Sequence, residues 1–305
     1  MKKIIWVLTF IFVAQASAMP IYGDDDRIPV ADGPENLKPI FSAVAVQISK
    51  SFLNFNETLS AYTLNERLIG TLATTINGDD GPGKLCSDQR FGDYLNPGSC
   101  TGFFVGGDLL VTAGHCVKNA SDCERALWIF DFKNKKDSNR GDPFILSKNV
   151  YSCKQIVETQ VVTNYATKVK IDYAIIRLDR SVENRPAIKY RKDGELSCND
   201  DLFVVGHPSG LPMIYAPNGH MGCSSQDQGV DWFNVNLDTF AGNSGSPVIN
   251  ASTKLVEGIL VRGADDYGWD YKRSCYVVAH QPGAVTREGV TKISALSSKL
   301  DALLK

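Results

Sequence analysis

Short runs of strand-forming residues recur along the chain, and they limit the folds available to it. Each run is bounded by Gly, Asn, Asp or Pro, which favour turns. The runs are SAVAVQIS (42–49), TGFFV (101–105), DLLVTAG (108–114), ALWIFDF (126–132), YAIIRL (173–178), DLFVVG (201–206), PVIN (247–250) and LVEGILV (255–261). Because no helices alternate with them, the pattern predicts an all-β barrel or sandwich. Leucines recur at helical spacing only in SALSSKLDALL (294–304), which predicts a C-terminal α-helix.

The N-terminus has the pattern of a signal peptide. Lys2 and Lys3 precede the apolar run IIWVLTFIFVA, and the small residues 16–18 (ASA) close it. The run is too short to span a bilayer, which needs ~20 apolar residues. A buried N-terminal strand is the alternative. We therefore predict an exported protein, secreted or periplasmic, that begins near Met19, has no membrane anchor and is a monomer.

Composition excludes several classes of partner. The chain has 305 residues, 43% of them hydrophobic, which is enough for one large or two modest domains. A net charge of −2 gives no reason to expect nucleic acid or anionic membranes as partners. The eight cysteines indicate disulfides in an exported chain. None forms a CxxC pair, so a zinc cluster is not expected. We expect no metal site and no cofactor.

Three segments carry residues suited to nucleophilic catalysis. His115 ends the strand-like segment LLVTAGHC, Asp172 opens the apolar run DYAIIRL, and Ser244 lies in GNSGSPV (242–248). A nucleophilic serine needs a base to accept its proton, and a buried carboxylate can orient that base. The order His, Asp, Ser differs from the Ser, Asp, His order of α/β-hydrolases.

The neighbours of these residues fit the same chemistry. Gly242 removes side-chain bulk where a backbone N–H must approach a substrate, so the N–H groups of Gly242 and Ser244 could form an oxyanion hole. Cys100 precedes Cys116 by sixteen residues. That spacing fits two strands folded as a hairpin, and a Cys100–Cys116 disulfide would then hold the loop that bears His115.

TAGHC, DYAIIRL and GNSGSPV resemble the three signature segments of the chymotrypsin-like (trypsin-like) serine peptidases. The Cys-to-Cys spacing matches the usual disulfide of that family. The chain is most similar to the bacterial secreted branch, such as the glutamyl endopeptidases, in GNSGSPV, in IYGDDDRIPV (21–30) and in the turn 206–208 (GHP). The resemblance extends from about Ile21 to the C-terminal helix.

The resemblance implies two antiparallel six-stranded β-barrels with the active site between them. We assign residues 1–18 to the signal peptide, 19–39 to an N-terminal segment, 40–182 and 183–290 to the two barrels, and 291–305 to the C-terminal helix. By the same resemblance, Ser244 is the nucleophile, His115 the general base and then acid, and Asp172 the orienting carboxylate. Gly242 and Ser244 form the oxyanion hole.

Substrate preference is open between two interpretations. Asp238, six residues before Ser244, lies where trypsins hold a pocket acid, but it could instead cap the turn after the strand VNLD. Glutamyl endopeptidases carry a histidine where this chain has Leu260, and Arg262 could face an acidic substrate group or be a solvated arginine. The segment 263–282 could cover the pocket. The substrate-binding candidates are therefore Asp238, Thr239, Leu260, Arg262 and Gly263.

Two further expectations depend on single residues. Asn243 cannot form the ion pair that activates trypsins, so cleavage at Arg27–Ile28 is not expected to activate the protein. A second disulfide, Cys223–Cys275, is expected within the second barrel.

We predict an exported serine endopeptidase that acts on proteins or peptides. An inactive family member that serves as an adhesin or binding protein is the main alternative, and an esterase is a further one.

Overall fold

Strands dominate the computed structural model, which describes residues 20–65, 84–134, 142–164, 166, 169–263, 265–281 and 285–305. The predicted signal peptide lies outside these residues. The strands are β1 (Ile21–Tyr22), β2 (Ile28–Pro29), β3 (Val44–Ser49), β4 (Leu53–Asn56), β5 (Ala61–Leu64), β6 (Gly98–Gly106), β7 (Leu109–Thr112), β8 (Ala126–Phe130), β9 (Phe144–Leu146), β10 (Val150–Asn164), β11 (Val169–Leu178), β12 (Leu202–Gly206), β13 (Ile214–Gly219), β14 (Trp232–Val235), β15 (Pro247–Asn250), β16 (Val256–Arg262), β17 (Tyr267–Asp270), β18 (Cys275–Val278), β19 (His280–Gln281) and β20 (Glu288–Lys292). The α-helices are α1 (Lys38–Ser42), α2 (Ala120–Arg125) and α3 (Ser297–Leu303). In the described part of the chain, no helix has the length and apolar character needed to cross a membrane.

Six antiparallel strands close into a barrel in the order β10-β11-β7-β6-β3-β8. Closure leaves no sheet edge exposed within this half of the fold. Phe103 on β6 and Trp128 and Phe130 on β8 are almost fully buried, as expected for large residues on strands that face a common core. The predicted all-β fold is confirmed, and so is the C-terminal helix, whose Leu300 is fully buried.

The second large sheet has seven strands in the order β14-β20-β16-β15-β12-β13-β2. Its outer strands β14 and β2 do not pair with each other in the described residues, so a second closed barrel is not confirmed. The edge strand β2 comes from the N-terminal segment, where Ile28 pairs with Tyr215 of β13. The proposed division of the chain into domains stays a prediction.

Smaller sheets and disulfides connect distant parts of the chain. Strands β4, β5 and β9 form one sheet, β17 and β18 a hairpin, and β1 pairs in parallel with β19. Disulfides join Cys100 to Cys116, Cys123 to Cys153 and Cys86 to Cys275. The expected Cys223–Cys275 disulfide was wrong. The hairpin that carries Cys275 lies against residues 84–86, where the Cys86 N–H donates to the Tyr276 carbonyl at 2.9 Å.

The N-terminal segment is packed into the body of the protein. The Arg27 side chain is 2% exposed and forms two hydrogen bonds with the Asp25 carboxylate, at 2.8 and 2.7 Å. Its guanidinium also lies over the Phe240 ring, 4.2 Å from the ring centre. This burial removes the Arg27 side chain from solvent, and the expectation that cleavage at Arg27–Ile28 does not activate the protein stays a prediction.

His207 is fully buried where the second sheet meets the barrel. Its N–H donates to the Thr101 hydroxyl on β6 at 3.1 Å, and its ring stacks on Phe132 with centroids 6.1 Å apart. The ring Nδ1 lies 2.9 Å from the Leu211 carbonyl, which can only accept, so Nδ1 carries the proton. Burial lowers the pKa of His207 from 6.5 to about 4, so the ring is neutral in the folded protein.

We predict that His207 weakens the fold in acid. The unfolded chain binds a proton at this ring near pH 6.5 and the folded chain only near pH 4, so stability falls as the pH drops through this window. The loss reaches about 3 kcal/mol at its acid end. Urea unfolding of wild type and His207→Asn from pH 7 to pH 4 measures it, since other titrating groups are common to both. The unfolding free energy of wild type should decrease relative to that of His207→Asn as the pH falls. Parallel plots of unfolding free energy against pH for the two proteins would contradict the prediction.

Candidate active site

His115 lies in a short turn after β7 that is held from both sides. The turn Gly114–Cys116 is a single 3₁₀ turn, and the Cys100–Cys116 disulfide joins it to β6. A Cβ on Gly114 would lie 2.3 Å from the Gln160 carbonyl oxygen, so only glycine fits at this position against β10. The imidazole remains partly exposed, with 32% of its side-chain surface accessible.

Asp172 on β11 holds His115 through two hydrogen bonds. The His115 Nδ1 lies 2.8 Å from Oδ2, and the His115 backbone N–H donates to Oδ1 at 3.1 Å. A carboxylate oxygen accepts, so Nδ1 carries the proton and Nε2 presents its lone pair. Asp172 is itself buried, and its N–H donates to the Thr291 hydroxyl on β20 at 3.1 Å. The pair therefore lies where the barrel meets the second sheet.

Ser244 lies in a tight turn that precedes β15. Gly242 and Gly245 have φ of +95° and +92°, and a Cβ on either would lie within 2.5 Å of a backbone oxygen of a neighbouring segment. The Ser244 carbonyl accepts from the Thr101 N–H at 2.8 Å and lies 3.7 Å from the Cys116 sulfur. These contacts bring residue 244 beside the turn that bears His115.

The polar groups at the tip of this turn are available. No protein acceptor among the described residues takes a hydrogen bond from the N–H of Gly242 or Ser244. Nor does any hydrogen bond in the described part of the chain join the Ser244 hydroxyl to the imidazole. Such bonds are often long without a substrate and shorten when one binds. Asn243 turns inward, where its Oδ1 accepts from the Ser246 hydroxyl at 3.2 Å.

A cavity of about 240 Å³ opens beside Ser244. Four of the five substrate-binding candidates line it, and Asp238 does not. The lining residues are Thr239, Phe240, Ala241, Ser244, Leu260, Val261, Arg262, Gly263, Asp266 and Glu288. The Asp238 carboxylate instead accepts from the Tyr22 N–H at 2.8 Å, and burial raises its pKa to about 7.

Sequence reasoning missed Glu288, and it included Asp266 only as part of the segment 263–282 that could cover the pocket. Glu288 is 1% exposed, and its carboxylate accepts from the hydroxyls of Thr239 and Tyr22, the latter at 3.1 Å. Asp266 accepts from the Ala241 N–H at 2.8 Å, and burial raises its pKa to about 7. The only signal in the sequence was the position of Glu288 at the start of the strand-like run EGVTKI (288–293). The pairing of β20 with β16 is what brings Glu288 to the cavity.

The cluster of His115, Cys100 and Cys116 does not suit a metal ion. His115 lies close to the sulfurs of Cys100 and Cys116, but these are joined in a disulfide and are not thiolates. Only the imidazole could then act as a ligand in this cluster.

Three solved structures that are similar to this chain are two peptidases and an inactivated protease paralogue. The VesB protease of Vibrio cholerae is 13% identical over 86% of this chain, with a TM-score of 0.46. This chain spans 63% of the length of VesB. A Glu endopeptidase is 15% identical, with 93% of this chain and 98% of that chain covered and a TM-score of 0.46. An inactivated protease paralogue of the scabies mite is 13% identical, with 88% and 96% covered and a TM-score of 0.49.

The family model of the trypsin-like peptidase domain matches residues 100–259, which is more than half of the chain. The match begins at the cysteine bonded to Cys116 and contains His115, Asp172 and Ser244. The cavity strand β20 lies beyond its end. The chain therefore belongs to the trypsin-like peptidase family.

Proposed function

We propose that the protein is an exported serine endopeptidase that cleaves proteins or peptides through a Ser244–His115–Asp172 triad. The observation that carries this proposal is the double hydrogen bond between His115 and Asp172 beside the turn of Ser244. It leaves Nε2 as the only ring atom able to accept a proton. The three disulfides support an oxidising compartment, and hence export.

The first half of the reaction forms an acyl-enzyme. The Ser244 oxygen attacks the carbonyl carbon of the substrate while its proton passes to His115 Nε2. The oxygen of the tetrahedral intermediate takes the negative charge, and the N–H groups of Gly242 and Ser244 donate to it. His115 then gives the proton to the departing amine. The C–N bond breaks and the acyl group stays on Ser244.

Water completes the reaction by the same steps. His115 accepts a proton from the water as its oxygen attacks the acyl carbon, and Ser244 leaves with that proton. The buried Asp172 carboxylate keeps its hydrogen bonds to His115 and stabilises the imidazolium in both halves. The positive φ of Gly242 matters here, because a side chain would displace the N–H that faces the oxyanion.

Removing the nucleophile should abolish both covalent labelling and peptide hydrolysis. Ser244→Ala is expected to lose reaction with a fluorophosphonate probe and to lower kcat on casein by roughly 10⁴–10⁶-fold. Asp172→Asn should lower kcat by about 10⁴-fold, because an amide favours the wrong tautomer of His115.

The matched control is Ser252→Ala, an exposed serine in the turn that follows β15. It should label and cleave like wild type. Equal labelling of Ser244→Ala and wild type would refute the triad. A folded wild type that neither labels nor cleaves would instead support the inactive binding protein.

A further inference from the structure

Arg262 belongs to the cavity lining, but its guanidinium lies on the Gly289 side of the sheet. A β-bulge on β16 pairs Leu260 with Val290 but Arg262 with Gly289, so the two β16 residues face opposite sides of the sheet. A Cβ on Gly289 would lie 2.8 Å from Arg262 Nε, which places the guanidinium on the Gly289 side. In agreement, burial and the positive charge of Arg262 lower the pKa of Lys170, on the barrel strand β11.

Glu288 projects to the opposite side, into the cavity. Neighbouring residues of a strand face opposite sides, so Glu288 points away from the Gly289 side. A Cβ on Gly263 would lie 2.6 Å from Glu288 Oε2, which shows that glycine at 263 leaves the space that the carboxylate occupies. The guanidinium of Arg262 and the carboxylate of Glu288 are thus on different faces of the β16–β20 pair.

Two neutral hydroxyls hold the Glu288 carboxylate in position. The Tyr22 hydroxyl donates to Oε1 at 3.1 Å, and the Thr239 hydroxyl donates to Oε2. Burial and the charge of Glu288 raise the pKa of Tyr22 well above its usual range, so this hydroxyl keeps its proton. A buried carboxylate gains most when a cation approaches it, since the interior screens the attraction weakly.

The rest of the cavity fits the stem of a long cationic side chain. Phe240, Leu260 and Val261 supply apolar surface to the cavity that Ser244 and Glu288 also line. The methylenes of lysine and arginine pack on such surface while the charged end reaches a partner. Asp266 adds a second carboxyl group to the lining, so a substrate carboxylate would meet charges of its own sign.

We infer that Glu288 determines specificity and that the residue before the cleaved bond is arginine or lysine, whose cation the Glu288 carboxylate binds. This inference rests on the proposed peptidase function. Glu288 is then the pocket acid in place of Asp238, which Tyr22 covers. Arg262 is not a receptor for acidic substrates.

The test compares four peptide substrates that differ only in the residue before the cleaved bond: arginine, lysine, glutamine and glutamate. Wild type should cleave the arginine and lysine peptides with the highest kcat/KM. Glu288→Gln should lower kcat/KM for these two by about 10²–10³-fold, because the substrate cation is left buried without its partner. Cleavage of the glutamine peptide and fluorophosphonate labelling should change by no more than a few-fold.

Asp238→Asn is the matched control, since it removes a buried carboxylate of the same region. Its ratio of arginine to glutamine cleavage should equal that of wild type. A loss of the preference in Asp238→Asn but not in Glu288→Gln would overturn the inference. So would a wild type that prefers glutamate, whether or not Glu288→Gln folds. Failure of the peptidase function itself would appear as absent labelling of wild type.

A second, independent inference concerns the two cysteines that are not bonded, Cys198 and Cys223. They flank the antiparallel pair β12 and β13, in which Leu202 is opposite Gly219. Cys198 lies four residues before Leu202 and Cys223 four residues after Gly219, so both cysteines lie at the same end of this strand pair. The Cys223 thiol donates a hydrogen bond to the neighbouring Cys198 sulfur, which raises the pKa of Cys223.

We propose that Cys198 and Cys223 form a fourth disulfide after export. Cys223 is exposed and Cys198 partly so, which leaves both open to a disulfide-bearing oxidoreductase. The thiolate of one cysteine attacks that enzyme's disulfide, and the second cysteine resolves the mixed disulfide. The two thiols lose two protons and two electrons, and the oxidoreductase disulfide is reduced to two thiols.

Peptide mapping of the exported, full-length protein without reduction, after alkylation of free thiols, tests this proposal. The expected product is a linked peptide pair that contains Cys198 and Cys223, with neither residue alkylated. In Cys198→Ser, Cys223 should become alkylated while the other three disulfides remain. Complete alkylation of both cysteines in the wild type, or their pairing with other cysteines, would refute the fourth disulfide.

Discussion

Thr101, a fully buried residue of β6, joins the two halves of the site. Its N–H donates to the Ser244 carbonyl at 2.8 Å, and its hydroxyl donates to the Gly242 carbonyl at 2.8 Å. The same hydroxyl accepts from the His207 N–H, and its carbonyl accepts from the Thr112 hydroxyl. The turn that bears Ser244 is thus attached to the barrel strand next to β7. An unmade bond here would leave a buried polar group without a partner, so the network favours one arrangement.

Local motifs predicted the parts of the site that depend on nearby backbone. The glycines of GNSGSPV and the alternation of strands carry their own conformational signals, and the structure brings His115, Asp172 and Ser244 to one junction. Thr101 carries no such signal. A buried threonine on a strand is ordinary in sequence, and its role follows only from the packing of two sheets.

The cavity illustrates the limit of counting along a sequence. An ungapped offset from Ser244 selected Asp238, which the N-terminal segment covers through Tyr22. The bulge on β16 reverses the side to which Arg262 points, and no residue type announces it. Glu288 reaches the cavity only through strand pairing. The Cys86–Cys275 disulfide, across 189 residues, was equally out of reach, since spacing alone carries no information on such a pairing.

The contacts of Tyr22 determine when the cavity can exist. Its partners Asp238 and Glu288 lie 216 and 266 residues further along the chain. Contacts between such distant residues form late, because long loops must close before they contribute. A nascent chain can therefore build the barrel with His115 and Asp172 while it still lacks the strand that carries Glu288. The cavity that Glu288 lines is therefore completed only after β20 has been synthesised.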